Sequence, residues 1–296
     1  MTAGDRKRAF TGLAFVSPWL IGFVALTLYP VCASIYFSFC DYDVLSRPVW
    51  VGLLNYQDMV TDNVFWLSVR NTLVFNLIAL PSGLLASLAL ALLLNRPVRM
   101  RGIFRAIYYM PSLVPAVAGA VVWLWILNGR IGLLNEGLMA IGIAHPPEWL
   151  ADPAWTKPSL ALVSLWGCGN TVVIYLAALQ GVPRSLQEAA MIDGASAWRR
   201  LIHVTLPAIS PVIYFNLMIG IIGGLQVFTS AFVIMKNPGG PERSVLFYAI
   251  YIYQNAFENR HMGYASAMAW ILCLLILALT WLATRLSRSL VHYQSD

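Results

Sequence analysis

Six long apolar stretches, separated by shorter polar segments, set the hydrophobic pattern of this chain. They cover residues 11–39, 71–94, 104–127, 159–180, 208–235 and 264–285. A helix needs about 20 residues to cross a hydrocarbon core of about 30 Å. In lipid, a spanning segment must also satisfy its own backbone hydrogen bonds, as a helix does. The pattern therefore predicts an all-α fold, a polytopic membrane protein with six transmembrane helices.

Composition supports a membrane protein, and the distribution of charge predicts how the chain is oriented across the membrane. The chain is 59% hydrophobic and 11% charged, with a mean hydropathy of +0.70, which excludes an ordinary soluble domain. Of the 19 Lys and Arg residues, 12 lie on one side if both ends are cytoplasmic: Arg6, Lys7, Arg8, Arg96, Arg99, Arg101, Arg105, Arg184, Arg199, Arg200, Arg285 and Arg288. The positive-inside rule then predicts cytoplasmic terminal segments, 1–10 and 289–296, around a membrane domain of residues 11–288.

Several kinds of chemistry are missing from the sequence. None of the six predicted spans contains Asp or Glu, whereas proton-coupled carriers rely on ionisable groups inside the membrane. No phosphate-binding loop or zinc motif occurs, and no nucleophile–base pair or metal-ligand cluster can be assembled. The sequence predicts no catalytic or metal site and no enzyme activity. If ATP drives this protein, a separate chain hydrolyses it.

The segment 181–207 is polar, although it lies between two apolar stretches. Ser185 and Glu188 have the spacing of a capping box, in which each side chain bonds the other's backbone amide, so a helix is predicted to begin near Leu186. Gly194 marks an end or bend, because glycine adopts positive φ at little cost. A second helix, about 196–203, is predicted to run towards Pro207, where the fifth span follows.

The spacing alone leaves two interpretations of this helix–bend–helix segment open. Its small residues, such as Ala189 and Ala190, allow a partner surface to approach closely. Alternatively, the segment is an amphipathic linker that places Trp198, Leu201 and Ile202 on lipid and its arginines on headgroups.

The sequence "LQEAAMIDGASAWRRLIHVTLP" resembles the EAA loop of binding-protein-dependent ABC importer permeases. Glu188, Ala189, Ala190 and Gly194 match that pattern, and residues 204–207 close it with Val in place of Ile. The resemblance extends along nearly the whole chain, through "LYPVCASIYFSFCDYD", "FRAIYYMPSLVP", "NPGGPERS" and "GYASAMAW". This set is similar to the carbohydrate-uptake class, specifically to the first permease subunit of maltose-type importers.

The resemblance implies a type I importer fold in a bacterial cytoplasmic (inner) membrane. It implies that the loop 181–207 forms a coupling helix seated in a cleft of a cytosolic ABC ATPase dimer, which binds ATP and Mg²⁺. It further implies a second, related permease subunit, and an extracytoplasmic solute-binding protein that docks on outward segments 40–70, 128–158 and 236–263. The residues that the resemblance assigns to ATPase coupling are Glu188, Ala189, Ala190, Asp193, Gly194 and Pro207.

Polar residues inside the spans are few enough to suggest a solute pathway. Trp166 and Asn170 are four positions apart, and Gln226 and Thr229 are three apart, so each pair is predicted to share one helix face. Alignment to the maltose-type subunit implies a sugar pocket near Gly167, Asn170, Gln226 and Thr229. With the neighbouring aromatic residues Trp166 and Phe228, these form the predicted substrate-lining set. The alternative for these residues is helix–helix packing, in which Asn and Gln bond across helices and Gly allows close approach. Trp123 and Trp125 are predicted to belong to an interfacial belt.

The predicted function is thus that of a permease subunit, which moves a sugar or sugar-like solute by alternating access and contains no cofactor of its own. An autonomous channel or a sodium-coupled carrier for a small neutral solute is the alternative, because carbonyl and hydroxyl groups at broken helices can bind sodium.

Overall fold

A computed structural model describes residues 3–96, 99–235 and 239–287. The predicted C-terminal segment 289–296 and the first two residues of the predicted segment 1–10 lie outside them. The helices of the described chain are α1 (Ala3–Phe23), α2 (Tyr29–Phe37), α3 (Leu54–Thr61), α4 (Asn63–Asn95), α5 (Arg101–Tyr109), α6 (Ala116–Ile126), α7 (Leu133–Ala140), α8 (Pro153–Trp166), α9 (Gly169–Gly181), α10 (Arg184–Ile192), α11 (Ala197–Arg200), α12 (Leu206–Ala208), α13 (Ser210–Leu225), α14 (Thr229–Ile234), α15 (Tyr248–Tyr253) and α16 (Met262–Ser287). Short π turns cover Val24–Leu28, Leu201–Thr205 and Gln254–Glu258, and 3₁₀ turns cover Met110–Leu113 and Pro241–Arg243. Two short strands, β1 (Cys40–Asp41) and β2 (Val49–Trp50), pair antiparallel with Cys40 opposite Trp50.

The chain divides into two compact units, and the first comprises Met1–Asp62 and Ile252–Leu272. In this unit the Asn55 side chain donates hydrogen bonds of 2.9 Å to the carbonyls of Ser38 and Cys40, which holds α3 against the hairpin. Trp270 Nε1 donates to Ser34 Oγ at 3.2 Å and thereby joins α16 to α2.

The hairpin turn of the same unit is organised by one carboxylate. Asp43 Oδ1 accepts hydrogen bonds from the hydroxyl of Ser46 and from the backbone amides of Ser46 and Leu45. The side-chain bond from Ser46, followed by its backbone bond, lowers the pKa of the Asp43 carboxyl from its ordinary value. The charged form of Asp43 therefore stabilises the turn.

The second unit comprises Asn63–Tyr251 and Cys273–Asp296. Its helix α4 runs uninterrupted for 33 residues through Pro81 and packs against α8, α9 and α13. Two buried clusters form around α4. One includes Phe75, Leu160, Ala231 and Phe247, and the other includes Ala91, Val172, Tyr175, Leu179 and Ile209.

Three helical segments in the described chain are long and apolar enough to cross a membrane without a break: Phe10–Phe37, Asn63–Asn95 and Met262–Ser287. Three further pairs of helices are long and apolar enough to cross a membrane when the two helices of each pair are taken together, but each pair is bent at a short break. The pairs are Arg101–Leu113 with Ala116–Ile126 (bent by 99°), Pro153–Trp166 with Gly169–Gly181 (52°), and Ala197–Ala208 with Ser210–Leu225 (67°). If each pair crosses once, the described chain has six spans, and the six-span division of residues 11–288 stays a prediction.

The structure corrects the form of the fifth predicted span, 208–235. Helix α13 ends at Leu225, residues 226–228 are not helical, and α14 begins only at Thr229. Gly223 and Gly224 immediately precede this break, and glycine lowers the cost of leaving the helix. Gly224 also packs directly on the Asn76 side chain, where a Cβ atom would collide.

Candidate functional site

The first helix of the polar segment, α10, begins at Arg184, two residues earlier than expected. Pro183 occupies its N-cap position with φ −58° and ψ 130°, and no side chain caps the helix. The predicted capping box of Ser185 and Glu188 is therefore wrong. Pro183 disfavours helical geometry in the preceding residue, Val182, and proline is itself well suited to a helix start.

The end of α10 confirms the predicted bend at Gly194, which has a φ of +74°. The amide of Ala195 donates to the carbonyl of Ala190 at 2.9 Å, and the amide of Gly194 donates to the carbonyl of Met191 at 3.1 Å. This pair of bonds is a Schellman motif, which satisfies the last helical carbonyls and requires a left-handed residue. Gly194 thus gives α10 a defined end.

The second helix begins as predicted but extends further. Ser196 caps α11, its hydroxyl accepting from the amide of Arg199 at 3.4 Å. The predicted end near residue 203 is wrong, because a π turn and α12 continue the helix to Ala208. The wide turn lies just before Pro207, whose ring would otherwise clash with the carbonyl four residues earlier.

The elbow, defined as residues 184–200, exposes both polar and apolar side chains. None of the residues of α10 is buried, and Glu188, Ala189, Asp193 and Gly194 are all exposed. Ala190 is half-buried on the same helix, whereas Pro207 is half-buried outside the elbow. Ile192 is 86% exposed and Trp198 69% exposed. Ile192 was not predicted from the sequence to be a functional residue, although it lies between the two alanines of the EAA pattern and Gly194.

The predicted solute residues lie at two helix breaks rather than on two continuous faces. Trp166 ends α8 and Asn170 lies in α9, on opposite sides of a 52° bend at Gly167 and Cys168. Gln226 follows the end of α13, whereas Thr229 begins α14. The expectation that each pair shares one helix face is therefore wrong, because the i, i+3 and i, i+4 rules hold only within an unbroken helix.

Aromatic rings lie beside these breaks. Trp166 packs edge-to-face on Trp123, with 6.1 Å between the ring centroids. Phe228 stacks on Phe232 at 4.9 Å. Trp123 and Phe228 both pack against the cluster that contains Phe75 and Phe247.

The polar members of the set differ in burial. Gly167, Asn170 and Gln226 are exposed, and Thr229 is half-buried.

The two tryptophans that were predicted to form an interfacial belt differ in burial. Trp125 is 53% exposed, but Trp123 packs on the core with its Nε1 buried and without a hydrogen-bond partner among the described residues. The belt prediction is thus wrong for Trp123.

Polar anchors that were not predicted from the sequence hold the segment 239–248. The Asn71 side chain donates to the carbonyl of Arg243 at 2.8 Å, and the Thr72 hydroxyl accepts from the amide of Tyr248 at 2.8 Å. Thr156 and Ser244 share a hydroxyl–hydroxyl bond of 2.9 Å. The sequence did contain a signal for these contacts, because Asn71 and Thr72 are two adjacent polar residues at the start of the apolar stretch 71–94.

The motif NPGGPERS, residues 237–244, forms a turn where it is described. Gly239 and Gly240 have φ values of +95° and +72°, whereas Asn237 and Pro238 lie outside the described residues. Within the described part of the chain, no group of three His, Cys, Asp or Glu side chains could hold a metal ion.

Long apolar helices, bent helix pairs and an exposed polar elbow together define a helical membrane transport component. Residues 81–292 match the family described as "binding-protein-dependent transport system inner membrane component", and the chain belongs to that family. It is 38% identical over 292 residues to the probable ABC transporter permease protein YesP of Bacillus subtilis (strain 168), covering 98% of this chain and 94% of YesP. It is 32% identical over 276 residues to the lactose transport system permease protein LacF of Rhizobium radiobacter, covering 92% of each.

The fold is likewise that of a known importer. Two crystal structures of a bacterial alginate ABC transporter, one in complex with an alginate pentasaccharide-bound periplasmic protein, match with TM-scores of 0.85 and 0.84 at 24% identity. The matches cover 98% and 97% of this chain, and 99% and 96% of the structures. The predicted all-α, type I importer fold is confirmed. The chain is a multi-pass inner-membrane permease subunit of an ABC importer, a transport component rather than an enzyme or an autonomous channel.

Proposed function

We propose that this chain is the first of two related permease subunits in a sugar importer, and that it translocates a sugar or sugar-like solute delivered by an extracytoplasmic binding protein. The LacF relative is named for lactose transport, and the alginate transporter is complexed with a periplasmic protein that carries an oligosaccharide. The absence of Asp and Glu from the six apolar stretches disfavours a cationic solute, because a buried cation needs an acidic partner. ATP and Mg²⁺ bind a partner ATPase dimer, because this chain has no phosphate-binding loop.

The elbow is the contact with that ATPase, and the exposure of α10 is the observation that carries this proposal. A helix with no buried residue, which presents an isoleucine 86% exposed beside an acidic side chain, has an apolar patch that none of the described residues covers. Such patches mark interaction sites. Lipid is the alternative cover, but Glu188 and Asp193 flank the patch, and carboxylates are disfavoured in apolar lipid.

The geometry of the elbow suits the transmission of movement. The Schellman motif at Gly194 and the serine cap at Ser196 define the helix ends on both sides of the bend, so the elbow moves as a unit when the ATPase dimer closes. Asp193 lies at the C-cap of α10, and Pro207 lies in α12, where the helix that follows the elbow leads towards α13. Alternating access then requires that the ATPase contact differ between two states of the bundle.

Reversing one charge and straining one backbone position test the coupling proposal. We expect Glu188→Lys and Gly194→Val each to reduce co-purification of the ATPase, and solute uptake with it, by about tenfold, since charged contacts contribute about 1.5–3 kcal/mol and valine is strained at a φ of +74°. Glu136→Lys and Gly142→Val are matched controls for ATPase co-purification, because Glu136 is exposed in α7 and Gly142 has a φ of +96° in open space. Uptake is not compared in these controls, since both residues lie in segment 128–158, where the solute-binding protein is predicted to dock.

Two results would contradict this assignment. One is unchanged ATPase binding and uptake in both elbow variants while they remain folded. The other is ATP-independent uptake by this chain alone in liposomes.

We further propose that Trp166, Gly167, Asn170, Gln226, Phe228 and Thr229 line the solute pathway. Both helix breaks leave backbone groups outside regular helical hydrogen bonding, and such irregular backbone is tolerated in membranes where it lines a cavity or binding site. Asn170 and Gln226 are exposed, so neither side chain is buried between helices of this chain. Amides beside aromatic rings can bond sugar hydroxyls and cover the C–H face of a sugar ring.

Substitution of the two amides tests the pathway. We expect Asn170→Leu and Gln226→Leu each to lower uptake by the assembled importer about tenfold, since each removes a hydrogen bond to the solute worth about 1 kcal/mol and leaves the solute group unpaired. ATPase co-purification should stay at the wild-type level, because neither residue lies in the elbow. Wild-type uptake kinetics in both variants would exclude these residues from the pathway.

A further inference from the structure

A cavity with one cation lies between α4, α5 and α9 in the second unit. Its volume is about 210 Å³, and it is lined by residues that include Leu94, Arg105, Tyr109, Val172, Leu176 and Gln180. Arg105 lies one turn inside α5, and Gln180 and Leu94 lie in the last turns of α9 and α4. The arginine and glutamine thus lie near the helix ends that the charge pattern orients towards the cytosol, and the remaining lining is largely apolar.

Arg105 has the unsatisfied groups of a binding site. Its Nε and Nη2 atoms are buried and find no hydrogen-bond partner among the described residues. These two nitrogens form one side of the planar guanidinium, the edge that binds two oxygens of a phosphate or carboxylate at once. A buried charged donor that is left unpaired is costly, so the assembled protein is expected to supply an anion.

We propose that this cavity binds an anionic phospholipid of the cytoplasmic leaflet, whose phosphate is held by the Arg105 edge and whose first methylene groups lie along Val172 and Leu176. A site with a cation at the headgroup level and an apolar wall behind it matches an amphiphile rather than a free anion. Basic pockets between helices on the cytoplasmic side are typical sites for anionic headgroups. The site lies outside the proposed solute residues and the elbow, and depends only on the predicted membrane orientation. Because Arg105 Nε and Nη2 are buried, phosphate binding at this edge requires the arginine side chain to rotate towards the cavity.

Native mass spectrometry of the complete importer, purified with its partner chains, tests the site. The probes are phosphatidylglycerol and phosphatidylcholine with the same acyl chains, added to delipidated complex. We expect the wild type to retain phosphatidylglycerol in preference to phosphatidylcholine, and Arg105→Gln to retain it at least about tenfold less, the loss of a charge-assisted contact. Arg105→Lys keeps the positive charge but cannot bind a phosphate through two parallel N–H groups. Its retention of phosphatidylglycerol should lie between those of the wild type and Arg105→Gln.

Two further variants separate the site from general charge and from folding. Arg99→Gln removes an exposed arginine near the same membrane surface and should leave lipid retention unchanged. Ala177→Phe narrows the apolar part of the cavity without touching the cation, and should also reduce retention, which keeps the test decisive if Arg105→Gln fails to assemble.

Three results would overturn the proposal. The first is equal retention of phosphatidylglycerol in wild type, Arg105→Gln and Ala177→Phe. The second is displacement of the lipid by millimolar inorganic phosphate, which would make a free anion the ligand. The third is release of the second permease chain by Arg105→Gln with lipid retention unchanged, which would assign the guanidinium to a partner carboxylate.

Discussion

In an Ile192→Asp variant, we expect the permease to reach the membrane and remain folded, and the ATPase to bind it about thirtyfold more weakly or worse. The Ile192 side chain is 86% exposed, so its removal takes little from the core of this chain. If the elbow docks into a cleft, the same side chain becomes buried on assembly, and the loss of such an anchor costs about 2 kcal/mol or more. Aspartate adds the cost of burying an unpaired charge.

The comparison that isolates this effect is Ile141→Asp. Ile141 is 76% exposed and follows α7, so it undergoes the same chemical change at a similar exposure far from the elbow in sequence. ATPase binding, measured by co-purification of the detergent-solubilised complex, should fall for Ile192→Asp only. Equal ATPase binding by both variants would mean that the α10 surface is covered by lipid and not by a protein.

Gly263→Val is expected to lower the free energy of unfolding by about 1–3 kcal/mol, the usual cost of forcing extra atoms into a packed site. Gly263 is buried at the start of α16, and its amide donates to the carbonyl of Tyr42 at 3.1 Å. A Cβ atom here would collide with the carbonyl oxygen of Cys40, and it would lie 3.3 Å from that of Phe37. Backbone atoms cannot move aside as a flexible side chain can, so the strand or the helix must shift.

Gly22→Val is the matched control for this change, because an added Cβ at Gly22 meets nothing within 4 Å. Unfolding of the detergent-solubilised protein should show a lower midpoint for Gly263→Val and a nearly unchanged midpoint for Gly22→Val. Identical midpoints for the two variants would show that the contact of Gly263 with the β1 backbone is not close in the native protein.

The sequence was sufficient to predict those features that depend on the chemistry of single residues or of short segments. The helical membrane fold follows from apolar length, since lipid leaves an uncharged segment of 20 residues few other structures. The bend at Gly194 follows from the residue itself, because glycine alone adopts positive φ cheaply. The EAA pattern identified the family because its residues are close together in sequence and meet a local geometric need.

Other features depended either on a neighbouring residue that overrides a spacing rule or on residues distant in the chain. Ser185 and Glu188 have the right spacing for a capping box, but Pro183 starts the helix first. The pairs Trp166–Asn170 and Gln226–Thr229 have helical spacing, yet each is divided by a helix break, and the glycines at or before these breaks were not interpreted as helix ends. Arg105 was counted only for its charge, and its unpaired edge emerged when α4, α5 and α9 were brought together.

The sequence by itself thus determined the membrane environment, the family and the bend at Gly194, because hydrophobicity and glycine conformation act locally. Only the tertiary structure decided which helices break, that Ile192 is left exposed, and why residue 263 must be glycine. These features arise from contacts between segments far apart in the chain, and steric fit between two backbones leaves no periodic signal in either one.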